Sequence, residues 1–477
     1  MGVLSTLVVV SCDTSFQGEV TANEVPETYT TIDTIVRSGD NRLNSEVHIR
    51  WWGDDPDGIV VGFEYTFGQG PWSFIDRNDS VFVLSPPPGK DTVDFDFQVR
   101  SVDNDGAVDP TPAVLTYPIK NSDPSIAYVV AGNNPTVSFP VVRYNWEAAD
   151  PDGSANLNEI ELAWNDTTGA ITTIDVVNTS GTFIATDLTA DVTEAQLYLN
   201  NNTSPEPFTV PNMRLNDTNR LYIRAVDNSD ARSPWVASAP IFLKKVSSPV
   251  LLVNAYNGTT VEEFYKDQLR NQGITTFDSL RIFETGAGGA LTQQSPDNLT
   301  QSRVFDLFDV IIWFGNNAEK SLSLAQKTTS DFFGDGGKML MAVYVSSVFD
   351  EQSQFFDFTP IESLVEFADT TLILADTSRL FPGEAGWPTL QSTQFVGVVK
   401  PINPSIGVTP LYSSSLLAND KVNGQIFNWP GNSQVIVKQT NNGQTNFIMS
   451  VLELQNLDGN GNLDQFFQKV LIDEFGL

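Results

Sequence analysis

Two residue types that often carry enzyme chemistry occur once each in this chain of 477 residues, as Cys12 and His48. Cysteine and histidine supply most nucleophiles, general bases and zinc ligands in proteins. His48 alternates with Val47 and Ile49 on a predicted strand, and a single histidine is a poor metal site. The chain is therefore short of groups for nucleophilic or zinc-dependent catalysis, and its chemistry must come from carboxylates, amides and hydroxyls.

Carboxylates are abundant. The chain has 59 acidic and 26 basic residues, which gives a formal net charge of −33. A protein with this charge repels the phosphate backbone of DNA or RNA, so nucleic acid is excluded as a partner.

Part of this charge lies in two motifs that occur twice in the same order. The first copies are Trp51-Trp-Gly-Asp-Asp-Pro-Asp-Gly58 and Val99-Arg-Ser-Val-Asp-Asn-Asp-Gly106, and the second copies are Trp146-Glu-Ala-Ala-Asp-Pro-Asp-Gly153 and Ile223-Arg-Ala-Val-Asp-Asn-Ser-Asp230. The short alternating runs between them predict antiparallel strands in sandwiches of about 100 residues. The spacing resembles tandem immunoglobulin-like or fibronectin type III-like modules.

The repeated turns form the clearest candidate metal site. If Trp51 lies on the second strand and Val99 on the sixth, the aspartates group at one end of each sandwich, and Ca²⁺ prefers such oxygen ligands. Aspartate, asparagine and glycine are also ordinary turn residues, and turn chemistry alone is the simpler interpretation. The candidate ligands are Asp54, Asp55, Asp57, Asp103, Asp105, Asp150, Asp152, Asp227 and Asp230.

The N-terminus indicates a location. The apolar run from Gly2 to Val10 is too short to span a bilayer but suits the hydrophobic part of a secretory signal. The run Val9-Val10-Ser11-Cys12 resembles the bacterial lipobox, which implies that Cys12 is lipidated. No lysine or arginine precedes the run, so the true start is expected upstream of Met1 if the resemblance holds; the alternative is an apolar strand with a buried cysteine.

The pattern changes after residue 247. Continuous apolar runs, such as Pro249 to Tyr256 and Asp309 to Gly315, alternate with predicted helices. This alternation predicts an α/β domain with a mostly parallel sheet. The order of elements, with Gly336-Gly337 before a strand, resembles the class I glutamine amidotransferase-like fold. Active members use a cysteine and a histidine, and neither occurs here after residue 48, so the resemblance implies a domain without that activity.

Ligands of open α/β sheets bind outside the carboxyl ends of the strands. Amides, hydroxyls and an aromatic ring at these positions suit a sugar or a peptide, although such residues also cap helices and satisfy loop backbone. The candidate crevice residues are Asn254, Tyr256, Asn257, Asn316, Asn317, Ser346 and Ser347.

The sequence thus predicts a multidomain chain. It comprises a lipoprotein signal segment at 1–12, a tether at 13–31, two all-β immunoglobulin-like sandwiches at 32–122 and 123–247, and the α/β domain at 248–477. Ca²⁺ is the one cofactor that the residues suggest.

For function, we expect a non-enzymatic lipoprotein of the bacterial cell envelope, similar to surface lipoproteins of the Bacteroidota. It would be anchored in the outer membrane, exposed at the cell surface, and used for binding, scaffolding or assembly. Its partners would be the membrane, through the lipid, and other surface proteins or glycans. Two alternatives stay open: a secreted or surface hydrolase that cleaves carbohydrate with paired carboxylates, and a subunit of a larger extracellular assembly.

Overall fold

A computed structural model describes residues 22–31, 46–84, 86–87, 90–129, 134–256, 260–282, 295–345 and 354–477. Strands account for 45% of the structure and helices for 14%. The chain divides into two compact units. One contains the residues up to Ser125 together with 149–158 and 226–233, and the other contains 126–148, 159–225 and 234–477. No helix in these described ranges is long and apolar enough to cross a membrane.

Seven antiparallel strands form the first sandwich, in a sheet of order β1-β2-β5 and a sheet of order β4-β3-β6-β7. Their bounds are β1 Glu27–Thr30, β2 Glu46–Asp54, β3 Val60–Phe67, β4 Ser73–Ile75, β5 Asp79–Val83, β6 Thr92–Asp103 and β7 Ala113–Lys120. Successive side chains of a strand point to opposite faces. Trp51 is therefore buried against Phe63 and Phe97, whereas Trp52 faces outward and stacks on Tyr29. Strand β1 lies inside the segment that the sequence assigns to a tether.

The second sandwich follows the same plan. Its main sheets have five strands in the order β15-β14-β13-β10-β8 and four strands in the order β12-β11-β17-β18, and a small sheet has the order β16-β19-β9. Its strands are β8 Ser125–Tyr128, β9 Val137–Ser138, β10 Val141–Ala149, β11 Leu157–Trp164, β12 Thr172–Asp175, β13 Ser180–Ala185, β14 Val192–Leu199, β15 Thr209–Arg214, β16 Asp217–Asn219, β17 Leu221–Asp227, β18 Val236–Ala237 and β19 Ile241–Leu243. Trp146 and Trp164 fill its core.

The C-terminal domain is built on a nine-stranded sheet of order β21-β20-β22-β23-β33-β32-β29-β26-β27. The strands of the domain are β20 Val250–Ala255, β21 Asp278–Arg281, β22 Val310–Gly315, β23 Lys338–Val343, β24 Ile361–Leu364, β25 Thr370–Ile373, β26 Arg379–Pro382, β27 Leu390–Gln391, β28 Ile402–Pro404, β29 Thr409–Ser414, β30 Leu417–Asp420, β31 Gln425–Asn428, β32 Gln434–Asn441 and β33 Gln444–Ser450. The helices are α1 Thr260–Asn271, α2 Asn298–Phe305, α3 Ala318–Thr328, α4 Ser330–Gly334 and α5 Leu463–Gln468, the last continuing as a π-helical turn, Lys469–Glu474.

The prediction of an α/β domain with a mostly parallel sheet is wrong. In this sheet only the five neighbouring strands β21, β20, β22, β23 and β33 are parallel to one another. The four pairings on the other side of β33, as far as β27, are antiparallel. Two smaller sheets, β24-β28 and β25-β30-β31, are antiparallel as well. The strands between β23 and β32 are two to six residues long and three of them contain a proline, so they lack the continuous apolar run that identifies a buried strand.

The two adjacent tryptophans of the first sandwich give a matched test of this packing. Replacing Trp51 with alanine should lower the unfolding free energy of that sandwich by about 3–5 kcal/mol, because a buried aromatic ring leaves a cavity. The Trp52→Ala variant loses the same side chain from a surface where the ring is 45% exposed, and should lose less than about 1 kcal/mol. Amide hydrogen exchange in β6 measures both changes in the intact chain; equal losses would contradict the described core.

Candidate functional site

A crevice of about 190 Å³ opens where strands of the parallel half of the large sheet end. Tyr344 directly follows β23, and Glu453 comes shortly after β33. Parallel neighbours end at the same edge of a sheet, so residues far apart in the chain meet there. The crevice is lined by Tyr344, Leu374, Gln394, Phe395, Val396, Gly397, Leu452, Glu453, Asn456 and Leu457.

Hydrogen bonds fix the carboxylate of Glu453. The hydroxyl of Tyr256, which directly follows β20, donates to Glu453 Oε1 at 2.5 Å. Asn456 Nδ2 donates to Glu453 Oε2 at 2.8 Å, and Gln455 Nε2 donates to the Tyr256 hydroxyl at 3.1 Å. Burial raises the pKa of Tyr256, and the bond to Glu453 raises this pKa further, so the phenol stays protonated and serves as a donor.

Two polar atoms beside this network have no hydrogen-bond partner. They are the hydroxyl of Tyr265 and Oε1 of Gln455, and both are shielded from solvent. The ring of Tyr265 stacks on Phe314 with 4.0 Å between centroids, and burial raises the pKa of its hydroxyl, with smaller effects from Tyr256 and Glu453. Unpaired buried groups of this kind are uncommon and mark places where a bound water or ligand atom fits.

The crevice therefore combines three kinds of group. Glu453 accepts hydrogen bonds, the amides of Gln394 and Asn456 can donate or accept, and the ring of Phe395 is 60% exposed at the margin. A few convergent polar groups beside an aromatic surface suit a small polar ligand that has an apolar face. Glu453 is the only acidic residue in the described lining.

The residues that the sequence predicts for this crevice have different positions in the structure. Tyr256 contacts Glu453, as described above. Asn254 is fully buried, where its Nδ2 donates to Glu262 and its Oδ1 accepts the amide N–H of Tyr256. Asn317 caps α3 by accepting the N–H of Lys320, and Asn316 is exposed beside it. Asn257, Ser346 and Ser347 lie outside the described residues, as does Cys12.

Sequence reasoning missed Tyr344, Gln394, Phe395, Glu453 and Asn456. Tyr344 could have been found, because it directly follows a strongly apolar strand, whereas Glu453 reaches the crevice only through the pairing of β33 with β23. Gln394 and Phe395 follow the two-residue strand β27, for which the sequence gives no periodic signal.

The aspartates of the first repeat form a cluster with the residues that precede β1. Asp103 is buried, and its Oδ1 accepts the N–H groups of Asp105 and Ala107 at 2.9 and 2.7 Å. Its Oδ2 accepts Asn23 Nδ2 at 2.6 Å, and this bond lowers the pKa of Asp103. The carboxylate of Asp57 accepts the N–H of Glu24.

Nearby, both oxygens of Asp55 are shielded and have no partner. Burial raises the pKa of the Asp55 carboxyl, the nearby backbone N–H of Asp57 opposes this rise, and the charges of Asp57 and Asp103 add to it.

The second repeat has the same arrangement. Asp227 is fully buried, with Oδ1 accepting the N–H groups of Ser229 and Ala231, each at 2.8 Å, and Oδ2 accepting Asn121 Nδ2 at 2.5 Å. Asp152 Oδ2 accepts the N–H of Ser122 at 2.8 Å.

Asp150 completes the second cluster. It accepts the N–H of Asp152 at 2.7 Å and Asn156 Nδ2 at 3.2 Å. Burial raises the pKa of Asp150, and Asp152 and Asp227 raise it further by their charge.

The side chains of three candidate ligands take no part in these contacts. Asp54, Asp105 and Asp230 are exposed, and Asp230 occupies a turn with a φ of 64°. In the described part of the chain, no group of three or more His, Cys, Asp or Glu side chains is already arranged to hold a metal ion. His48 is exposed and contacts Asp79 at 2.8 Å.

A second cavity, of about 340 Å³, is lined by Asp306, Asp309, Asp335, Lys338 and the C-terminal residues from Phe475. Both carboxylate oxygens of Asp306 lack a hydrogen-bond partner. Burial raises the pKa of Asp306 to about 7, with a further contribution from Asp331 that Arg303 opposes.

Comparison with known proteins leaves the family open. No protein-family model and no curated protein matches the chain. Solved structures that are similar include the fibronectin(III)-like modules of Clostridium thermocellum CbhA, at 13% identity and a TM-score of 0.17, covering 45% of this chain and 94% of that one.

Two further similar structures are β-sandwich proteins. A two-domain fibronectin type III segment of chicken tenascin has 10% identity and a TM-score of 0.21, covering 45% of this chain and 98% of that one. Carbohydrate-binding modules of the β-sandwich superfamily have 10% identity and a TM-score of 0.17, covering 47% of this chain and 100% of those modules. Likenesses of this size do not extend to function, and strand pairing alone establishes the two sandwiches.

Asp306 gives a test that depends on pH. Its folded-state pKa lies above the unfolded value, so the fold favours the neutral acid and loses stability as the pH rises from about 4 to 7. The Asp306→Asn variant should therefore gain stability over this interval and keep a gain of roughly 1–2 kcal/mol at pH 8, because solvent screens part of the effect. Urea unfolding of the variant and the parent between pH 5 and 8 measures this difference in unfolding free energy. Asp309→Asn, at an exposed position of the same cavity, is the control; an Asp306→Asn gain that did not depend on pH would contradict the assignment.

Proposed function

We propose that this chain is a non-enzymatic surface protein whose C-terminal domain binds a carbohydrate in the crevice at Glu453. Lipid at Cys12 would anchor it to the bacterial outer membrane, and the two sandwiches would hold the binding domain away from the membrane. The observation that carries the proposal is the hydrogen-bonded carboxylate of Glu453, with amides beside it and the exposed ring of Phe395 at the margin.

Carbohydrates have both features that this crevice can recognise. Their hydroxyls donate to carboxylates and exchange paired hydrogen bonds with amides, and their C–H faces pack on aromatic rings. Each oxygen of Glu453 already accepts one bond in the described structure and retains a lone pair for a ligand hydroxyl. The unpaired Oε1 of Gln455 provides another acceptor beside the same network.

The crevice is less suited to hydrolysis. Most glycosidases need two carboxyl groups, about 5–9.5 Å apart, as acid and as nucleophile or base. Glu453 has no acidic neighbour among the described lining residues, and the chain has no histidine or cysteine after residue 48. This argues for binding rather than for the hydrolase alternative. The resemblance of residues 248–477 to the class I glutamine amidotransferase-like fold remains a prediction from the sequence.

A second candidate function is membership of a larger surface assembly. Strand β31 forms the edge of its sheet, and all four of its residues are exposed. Ile426 and Phe427 on this strand and Val422 in the preceding turn present large apolar side chains to solvent. Exposed edge strands of this kind pair readily with another chain.

Paired phenylalanine variants test carbohydrate binding. Phe395→Ala should weaken binding at least about tenfold, since an aromatic contact of this type contributes about 0.5–1.5 kcal/mol beyond its buried area. Phe381→Ala, at another exposed aromatic position of the same domain, is the control and should bind as the parent does. Glycan microarrays followed by calorimetry with the bound glycan measure both; equal binding by Phe395→Ala, or no glycan bound by the parent, would contradict the site.

A separate experiment tests the lipid anchor. In bacteria grown with an alkyne-labelled fatty acid, the full precursor should take up the label and sediment with membranes, whereas Cys12→Ala should do neither. The conservative Ser11→Ala variant keeps a small residue before the cysteine and should still be labelled. Labelling that persisted in Cys12→Ala would refute the lipid anchor at Cys12, and it would not affect the proposal of carbohydrate binding in the crevice.

A further inference from the structure

The two aspartate clusters contain carboxylate oxygens that have no hydrogen-bond partner among the described residues. Asp152 is only 2% exposed, and its Oδ1 is shielded from water without a hydrogen-bond partner. In the first cluster both oxygens of Asp55 are also shielded and without a hydrogen-bond partner, although the residue as a whole is only half-buried. An ionised carboxylate that is buried without a compensating partner is strongly destabilising.

Among the described residues, no basic side chain is ion-paired with these carboxylates. The ion pairs among the described residues join other acids, and none includes Asp55, Asp150 or Asp152. The donors to Asp150 are neutral: the N–H of Asp152 at 2.7 Å and the amide of Asn156 at 3.2 Å, which also approaches Asn121 Oδ1 at 3.5 Å. The charges of Asp150 and Asp152 are thus close enough to affect each other and have no ion-pair partner among the described residues.

The recurrence of the arrangement is a second observation. In both repeats an asparagine three residues before a proline donates to the buried aspartate at the end of β6 or β17. In both, the N–H of the next residue binds the second aspartate of the Asp-Pro-Asp-Gly turn. Two sandwiches with different loop lengths thus keep the same asparagine contacts and the same pair of aspartates, although the unpaired oxygens belong to the first aspartate of the turn in one repeat and to the second in the other.

We propose that each cluster binds one Ca²⁺ ion, held in the second repeat by Asp150 and Asp152 and in the first by Asp55 and Asp57. The ligands are oxygens without any nitrogen or sulfur, which is the preference of this hard cation. Fewer than three carboxylates converge at either place, so amide oxygens such as Asn121 Oδ1, backbone carbonyls and water must complete the six to eight ligands that Ca²⁺ takes. The ion would fix the asparagine-containing segment on the two turns.

Calcium titration of the full chain, stripped of metal by a chelator, tests the proposal. We expect calorimetry to show one Ca²⁺ per cluster, and the melting temperature to rise with Ca²⁺ and fall again with chelator. Hydrogen exchange should slow in residues 22–26 and 121–124. No heat and identical melting and exchange with CaCl₂ and with chelator would overturn it, and an equal response to MgCl₂ would overturn the assignment to Ca²⁺.

Variants locate the ions. Asp152→Asn should remove one binding event and the exchange protection at 121–124, and Asp55→Asn should remove the other and the protection at 22–26. Asp230→Asn changes an exposed aspartate beside the second cluster and should leave both events in place. Retention of both events in the Asp55→Asn and Asp152→Asn variants, or their loss in Asp230→Asn, would refute the sites; the titration of the parent chain decides the question if a variant fails to fold.

Discussion

The parallel pairing of β23 with β33 is the contact on which the C-terminal domain depends. Its register joins Met339 to Phe447 and Ala342 to Ser450, and every residue between is buried. It unites strands from the start of the domain with a hairpin near the end of the chain, so that one sheet contains a parallel and an antiparallel half. It also brings Glu453 to the edge where β20 and β23 end, which places the carboxylate within reach of the Tyr256 hydroxyl.

Burial at this edge determines its chemistry. Tyr256 and Tyr265 lie against Phe314, and the low polarity of this packing keeps both phenols protonated by raising their pKa. A protonated phenol is a fixed donor, so it holds Glu453 in one orientation instead of exchanging protons with it. The arrangement is suited to recognising a neutral polar ligand, and the half-buried Glu453 keeps its remaining lone pairs toward the crevice.

Sequence reasoning succeeded where the signal is local. Strand β20 is a continuous apolar run, and helix α1 begins at Thr260, where Thr-Val-Glu-Glu263 matches a capping box, and ends shortly before Gly273. It failed where the signal is tertiary. Strands β32 and β33 are neighbours in the chain and form a hairpin, but nothing local reveals that β33 also pairs with β23, 108 residues earlier by the register of Phe447 with Met339. Glu453 was overlooked for that reason, and Asn254 was overvalued because complete burial gave its amide a structural partner.

The aspartate motifs show how far turn chemistry explains a repeated sequence. It accounts for Asp103 and Asp227, whose Oδ1 atoms each accept two backbone N–H groups two and four residues ahead. It does not account for the Asp-Pro-Asp-Gly turns, in which Asp55 is left unpaired and one oxygen of Asp152 is buried without a donor. An asparagine at Asp55 or Asp152 would form the same turn without the electrostatic cost, since asparagine adopts these conformations as readily. The negative charge is therefore the property that turn formation leaves unexplained, and a cation is the partner that would explain it.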